Sequence, residues 1–459
     1  MRRRSRLLRG SAAFILLVAL QIGVAESAHA SPSDTSPAAR TKTATPIKHF
    51  VTLMQENHSF DNYFGTYPGA DGIPQGTCMP VEPYDKDSKC VEPFRVTGRP
   101  VVDLGHTGDI HKAQYAGGRM NGFISAFAGQ RGVGDLAMGY YDDRDIPFYW
   151  NVADNYVLFD QAFTSAAGGS IWNHFYWVTG SPGNPKEDAL LTKGFDHVPT
   201  IFDRLQAAGV DWKFYIQNYD PSVNFRNPGS GDKASQIVWA PVLNYERFLD
   251  DPELRSRIVP LDQYYTDLRN NQLPAVSYIV PSGSSEHPPG SIQAGSRFVR
   301  GLINALMASS AWDSSAFMWT YDDWGGWYDH VKPPAVDNYG YGFRAPALLV
   351  SPYAKKGEVN HTTIDFTSQL KFIENNWEVE PLAERDAAAN DISSAFDFAA
   401  PPREPIVLSE QRNVLPPPPP ATWIVYTLYG LALTAPLLIL GFSRLRPRLR
   451  AQALARGRP

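Results

Sequence analysis

Six short, mostly apolar runs mark this chain, at residues 49–54, 156–159, 210–216, 275–280, 316–321 and 345–350, the third of them broken by Asp211 and Lys213. Runs of this length without polar alternation are strands covered on both faces. Amphipathic helical spacing at 199–208, 291–308 and 363–377 alternates with them. Strands alternating with helices predict an α/β fold, with a central, mostly parallel sheet sandwiched by helices. No internal repeat is present, so the 459 residues are expected to hold one catalytic unit, over 46–400, with large inserted loops. The stretch 65–154, rich in Gly, Pro and Asp, is predicted to supply most of those loops.

In open α/β sheets the ligand lies beyond the carboxyl ends of the strands, so the residues just past each run are informative. The first run passes directly into Glu56-Asn57, the fifth into Asp322-Asp323, and the fourth into a loop carrying Glu286-His287-Pro288. Glu56, Asn57, Asp322 and Asp323 offer oxygen ligands suited to a hard or borderline divalent cation: Mg, Mn, Ca or Zn. Taken singly, an acid after a strand is more often a turn former or a helix cap. Two adjacent carboxylates followed by Gly325-Gly326 repel each other in a tight turn, and a cation is the simplest compensation.

Gly168-Gly169-Ser170 puts a hydroxyl at the start of a predicted helix, where it can serve as a nucleophile. Asn173 and His174 are expected to hold the phosphate oxygens of the substrate. Ser170 as a simple N-cap is the competing reading, and Thr164 and Ser165 are comparable hydroxyls. Of the ten histidines, His106 and His287 are expected to contact phosphate or to protonate a leaving alcohol.

The two ends carry the arginine clusters. Arg2, Arg3, Arg4, Arg6 and Arg9 precede an apolar stretch at 12–24 that closes on Ala28-His29-Ala30. Residues 1–30 therefore read as a cleavable signal peptide, by the general secretory or the twin-arginine route, and 31–45 as a flexible spacer. At the other end, 421–442 is uncharged and long enough to cross a bilayer as a transmembrane helix, with Trp423 and Tyr426 at one boundary. The 443–459 tail is arginine-rich and free of acids, which makes it cytoplasmic by the positive-inside rule and puts the catalytic region outside. Proline-rich 401–420 is then a stalk. A net charge of -5, with Arg clusters confined to the ends, argues against a nucleic-acid partner. Cys78 and Cys90 are the only cysteines, and in an exported chain they are expected to form a disulfide.

The run Glu56-Asn57-His58-Ser59-Phe60-Asp61-Asn62-Tyr63-Phe64-Gly65-Thr66 strongly resembles the opening motif of a bacterial phosphoesterase family. That family contains haemolytic and non-haemolytic phospholipases C and a respiratory-burst-inhibiting acid phosphatase. Later landmarks match too: Tyr321-Asp322-Asp323-Trp324-Gly325-Gly326-Trp327-Tyr328-Asp329-His330-Val331, Arg344-Ala345-Pro346 and Ser351-Pro352-Tyr353-Ala354, with the resemblance running to Phe398. The family looks like a branch of the alkaline-phosphatase-like superfamily. The resemblance therefore implies a helix-sandwiched sheet, a divalent metal on Glu56, Asn57, Asp322 and Asp323, and Ser170 as a nucleophile phosphorylated in turnover. It also favours His106 and His287 as phosphate or leaving-group contacts. Phospholipase-like members tend to have Thr in a Gly-Pro-Thr-x-Pro-Asn-Arg setting, where this chain has Gly169-Ser170-Ile171-Trp172-Asn173-His174. The expected function is an exported, membrane-anchored, metal-dependent phosphoesterase acting on phosphate esters, with phospholipids first and simple phosphomonoesters second. A catalytically silent surface-binding protein is the reading from a different class.

Overall fold

The computed structural model of the protein describes residues 33–412 apart from 98–100, 129, 131–132, 184–192, 196 and 231–234. Its centre is an eight-stranded sheet. In chain order the strands are β1 (His49–Gln55), β2 (Val157–Phe159), β3 (Trp212–Ile216), β4 (Ile258–Pro260), β5 (Val276–Val280), β6 (Ser315–Tyr321), β7 (Ala347–Val350) and β8 (Glu358–Asn360). They lie side by side in the order β8-β2-β7-β6-β1-β5-β3-β4. Only β7 runs against its neighbours, so the sheet is mostly parallel, as the alternation of strands and helices predicts.

Helices cover both faces, which is why the strands read as continuous apolar runs. The principal ones are α1 (Phe60–Phe64), α2 (Gly108–Tyr115), α3 (Pro147–Asn155), α4 (Ser170–Thr179), α5 (Ile201–Ala207), α6 (Ile292–Met307) and α7 (Phe366–Trp377). On one face Trp177 of α4 packs on Tyr278 of β5 with ring centroids 4.5 Å apart, and Phe202 of α5 packs on Trp212 of β3 at 4.5 Å. On the other face Tyr149 of α3 meets Trp319 of β6 at 5.5 Å. All seven residues of β1 and all seven of β6 are buried. Each fully buried Phe or Leu side chain contributes about 1.5–3 kcal/mol to holding these layers together.

Strand register sets the geometry of the sheet's carboxyl edge. β1 and β6 pair in parallel through Gln55 opposite Tyr321, so both strands end at the same level. Glu56-Asn57 and Asp322-Asp323, far apart in sequence, therefore leave the sheet side by side. The Asp322 N–H donates to the Gln55 carbonyl at 3.0 Å and seals the junction.

Two expectations about the flanks change. The part of the 31–45 spacer that is described does not hang free: Ser36 and Ala38 are buried, and Asp34 pairs with buried His49 at 2.7 Å. Thr45 is tied to Asn376 of α7 through both its N–H and its hydroxyl. A buried imidazole at the head of β1 needs a polar partner, and this segment supplies it. Likewise 401–412, expected as the start of a stalk, packs on the domain. Leu408 is buried there, and Arg403 donates to the Asn155 and Ala354 carbonyls. Cys78 and Cys90 form the expected disulfide, with Cα atoms 5.4 Å apart. The proposed signal peptide (1–30), transmembrane helix (421–442) and basic tail (443–459) lie outside the described residues, as does the rest of the stalk. Among the described residues, no helix is long and apolar enough to cross a membrane.

Candidate active site

The turn after β1 puts Asn57 in left-handed backbone (φ 62), a conformation that Asn tolerates better than most residues. The turn after β6 approaches it so closely that a Cβ on Gly325 would lie 2.2 Å from the Asn57 carbonyl oxygen. Gly325 also has positive φ (62), so glycine is required there on two counts. Asp322 Oδ1 accepts from the N–H of Asn57 at 3.0 Å and from that of Asp323 at 2.7 Å. Asp323 Oδ1 accepts from the Gly325 N–H at 2.8 Å. Glu56, Asn57, Asp322 and Asp323 are all fully buried.

Ser170 is the first residue of α4, and the cap position falls to Gly169, so the simple N-cap reading does not hold. Its hydroxyl donates to Asp323 Oδ2 at 3.3 Å, which brings the expected nucleophile to the expected metal ligands. The rival hydroxyls are committed elsewhere. Thr164 donates to the Ala166 carbonyl, and Ser165 donates to Asp365 while accepting the Phe366 N–H.

Asn173 and His174 stand differently from expectation. One turn into α4, the Asn173 side chain points back under the preceding loop. It accepts from the Ala166 N–H at 2.9 Å and donates to the Gly168 and Gly169 carbonyls, shaping the approach to Ser170 rather than facing a substrate. His174 is fully buried behind the acids, its Nε2 2.9 Å from Glu56 Oε1 and 3.8 Å from Asp322 Oδ2. Burial lowers its pKa to about 4, so the ring is neutral. His106 and His287 do come together, with ring centroids 5.6 Å apart, and line a cleft of 440 Å³ with Ser170, Asp103 and Trp239.

The electrostatics call for a cation. Burial first, and then the charges of Asp322 and Asp323, push the Glu56 carboxyl well above its ordinary range. Burial pulls His106 down, but Asp323, the Leu104 carbonyl, Asp103 and Asp322 more than reverse this, to about 9. A bound divalent cation opposes the effect of those same carboxylates. Glu56 Oε2, Asn57 Oδ1 and Asp322 Oδ2 are buried without a hydrogen-bond partner, although buried polar atoms of this kind are nearly always paired. Hard oxygen donors of this type fit Mg, Mn, Ca or Zn.

A second group of acids, Asp61, Asp329 and His330, is filled by an arginine. Buried Arg344 donates to Asp329 at 2.9 Å, to Asp61 at 3.0 Å and to the carbonyls of Asp71 and Asp160, while His330 pairs with Asp61 at 2.7 Å. This network clamps the segments after β1 and β6 to the start of β7.

Sequence reasoning gave Glu286 no role. It is fully buried, with positive φ (68), just before His287. Tyr63 and Tyr321 donate to its Oε2 at 2.5 and 3.0 Å, and Tyr149 donates to Oε1. Burial pushes its carboxyl up to about 7 from 4.5, and the tyrosine hydrogen bonds offset only part of that. An acid raised in this way stabilises the fold below its unfolded value and loses that contribution as the pH rises through its folded one. Relative to Glu286→Gln, the parent is expected to lose about 3 kcal/mol of stability between roughly pH 4.5 and pH 8. Denaturant midpoints at both ends measure this, and a pH-independent difference would remove Glu286 as the source.

A serine hydroxyl beside buried carboxylates, at the carboxyl edge of an α/β sheet, suits a metal-assisted hydrolase, and the relatives make the class a phosphoric ester hydrolase. The chain belongs to the Phosphoesterase family, whose family model matches residues 47–380. It is 31% identical over 434 residues to Phospholipase C B of Mycobacterium tuberculosis, covering 81% of this chain and 82% of that protein. Non-hemolytic phospholipase C of Pseudomonas aeruginosa is 28% identical over 456 residues, covering 82% and 62%. Non-specific phospholipase C1 of Arabidopsis thaliana is 28% identical over 409 residues, covering 78% and 72%. Among solved structures, a protein in the alkaline phosphatase superfamily from Vibrio parahaemolyticus gives a TM-score of 0.35 at 13% identity, covering 74% of this chain and 68% of its own.

Proposed function

We propose that this chain is an exported, membrane-anchored, metal-dependent phosphoesterase that cleaves phospholipids in the manner of a phospholipase C. The observation that carries the reading is the Ser170 hydroxyl on Asp323, next to buried acid and amide oxygens that lack protein partners. Glu56, Asn57, Asp322 and Asp323 hold the cation, which when bound lowers the pKa of the serine hydroxyl and offsets phosphoryl charge. Ser170 Oγ attacks phosphorus and forms a phosphoserine as the bond from phosphorus to the alcohol oxygen breaks. The N-terminus of α4 faces the phosphoryl oxygens with backbone N–H groups.

His287 Nδ1 is held by the Pro288 carbonyl at 2.8 Å, which leaves Nε2 for the cleft. As an imidazolium it gives the Nε2 proton to the departing alkoxide; as a neutral ring it then takes one from the water that hydrolyses the phosphoserine. Phospholipid-type relatives support the lipid substrate. A second reading, a broad phosphomonoesterase, is favoured by Ser170 and His174 standing where phospholipase-like members have Thr and Arg. The detergent-purified full chain, supplied in turn with Mg, Mn, Ca and Zn, is to be assayed on phosphatidylcholine vesicles and on p-nitrophenyl phosphate. Diacylglycerol release supports the first reading and nitrophenol release alone the second. Silence on both with every metal would sink the enzyme reading. Protease treatment of intact cells tests the topology, since a protected catalytic domain contradicts it.

A further inference from the structure

The acids and amide of the site each end in two heteroatoms, and the fold treats the two differently. Glu56 Oε1 meets His174 Nε2 at 2.9 Å, while Oε2 has no partner. Asn57 Nδ2 meets His106 Nε2 at 3.1 Å, while Oδ1 has none. Asp322 Oδ1 takes two backbone N–H groups, while Oδ2 makes no hydrogen bond. In these three side chains one atom is tied back and the other, an oxygen, is left over, whereas both oxygens of Asp323 accept hydrogen bonds, from the Gly325 N–H and the Ser170 hydroxyl.

The acceptors dictate where the protons sit. His106 Nδ1 lies 2.7 Å from the Leu104 carbonyl, which can only accept, so Nδ1 carries a proton. His106 Nε2 faces the Asn57 NH2 at 3.1 Å. That leaves the amide oxygen as the free end, and only the oxygen of an amide can serve a hard cation. His174 Nε2 lies 2.9 Å from Glu56 Oε1. Hydrogen-bond partners of ligating side chains form the outer shell through which proteins tune metal affinity.

We propose that His106 and His174 are positioning residues of the cation site, acting through Asn57 and Glu56, and that Asn57 Oδ1 and Glu56 Oε2 are the oxygens they leave for the metal, beside Asp322 Oδ2, whose partner oxygen is tied by backbone N–H groups. This rests on the metal-dependent reading of the site and replaces the expectation that His106 and His174 act on the substrate.

The test titrates Mn²⁺ into the full chain stripped of metal, and inorganic phosphate into the Mn²⁺-saturated protein. His106→Ala and His174→Ala are each expected to weaken Mn²⁺ by about 10–100-fold. Phosphate affinity at saturating Mn²⁺ should move by less than about threefold. His106→Gln, which retains an acceptor, and His174→Gln, which retains an N–H donor, should recover most of the loss. They also keep the test decisive should an alanine variant fail to fold. Pulsed electron spin resonance of the Mn²⁺ form should show no imidazole nitrogen coupling. Unchanged Mn²⁺ affinity with weakened phosphate in the His106 variants would restore His106 as a substrate contact and overturn its assignment. An imidazole coupling lost in His174→Gln would make His174 a direct ligand and overturn its half of the proposal. A parent chain that binds none of Mg, Mn, Ca or Zn would overturn the proposed function and this inference together.

Discussion

Ser170→Ala is expected to lower kcat by at least about 10³-fold on whichever ester the parent hydrolyses, with metal content unchanged. The size reflects what the hydroxyl does. In the proposed mechanism it is the atom that forms the covalent bond, and the rival hydroxyls of Thr164 and Ser165 are buried and hydrogen-bonded away from the site. The lost atom makes one hydrogen bond of 3.3 Å to Asp323, so the fold itself should barely notice. Steady-state kinetics with metal analysis of the same sample checks both halves. Activity within tenfold of the parent would reassign the nucleophile.

The second large effect belongs to Asp322→Asn combined with Asp323→Asn. Asparagine keeps the size of each side chain and an oxygen for the backbone N–H groups that now bind Asp322 and Asp323. It removes two of the buried charges that, after burial itself, push Glu56 up. Bound divalent metal should fall to background and activity with it. At the same time the metal-free variant should melt at a higher temperature than the metal-free parent, because buried like charges have been relieved. Elemental analysis and thermal unfolding with and without EDTA read the two signs. Metal retained at parental stoichiometry would discard the ligand assignment, whereas a lowered melting temperature would show these acids to be structural.

Much of the fold was legible because it rests on short-range pattern. The six apolar runs became β1, β2, β3, β5, β6 and β7, and the ends of β1 and β6 placed the two acidic dipeptides. Edge strands β4 and β8, of three residues each, were too short to stand out, and β8 is polar as well. Chemistry that depends on which way a side chain turns was less readable. Asn173 and His174 lie close enough to Ser170 in sequence to suggest one cluster, yet the helical rotation sends Asn173 under the loop and His174 behind Glu56. Glu286 looked like a loop residue because the three tyrosines that hold it come from α1, α3 and β6, with no local signal of their convergence. The length of the matching motifs also gains a physical account. Asp61, Asp329, His330 and Arg344 touch no nucleophile, but they lock together the segments that carry the proposed metal ligands.

The Asn57 N–H and the Asp322 carboxylate it binds are 265 residues apart in the chain. A cation held between the side chains of those two residues has no counterpart in the unfolded polypeptide, so it is a ligand of the native state alone. At a hundredfold excess over its Kd it adds about 2.7 kcal/mol to the folding equilibrium. The protein's lifetime would thus track the supply of divalent ion, with starvation for the metal felt as unfolding as well as lost turnover.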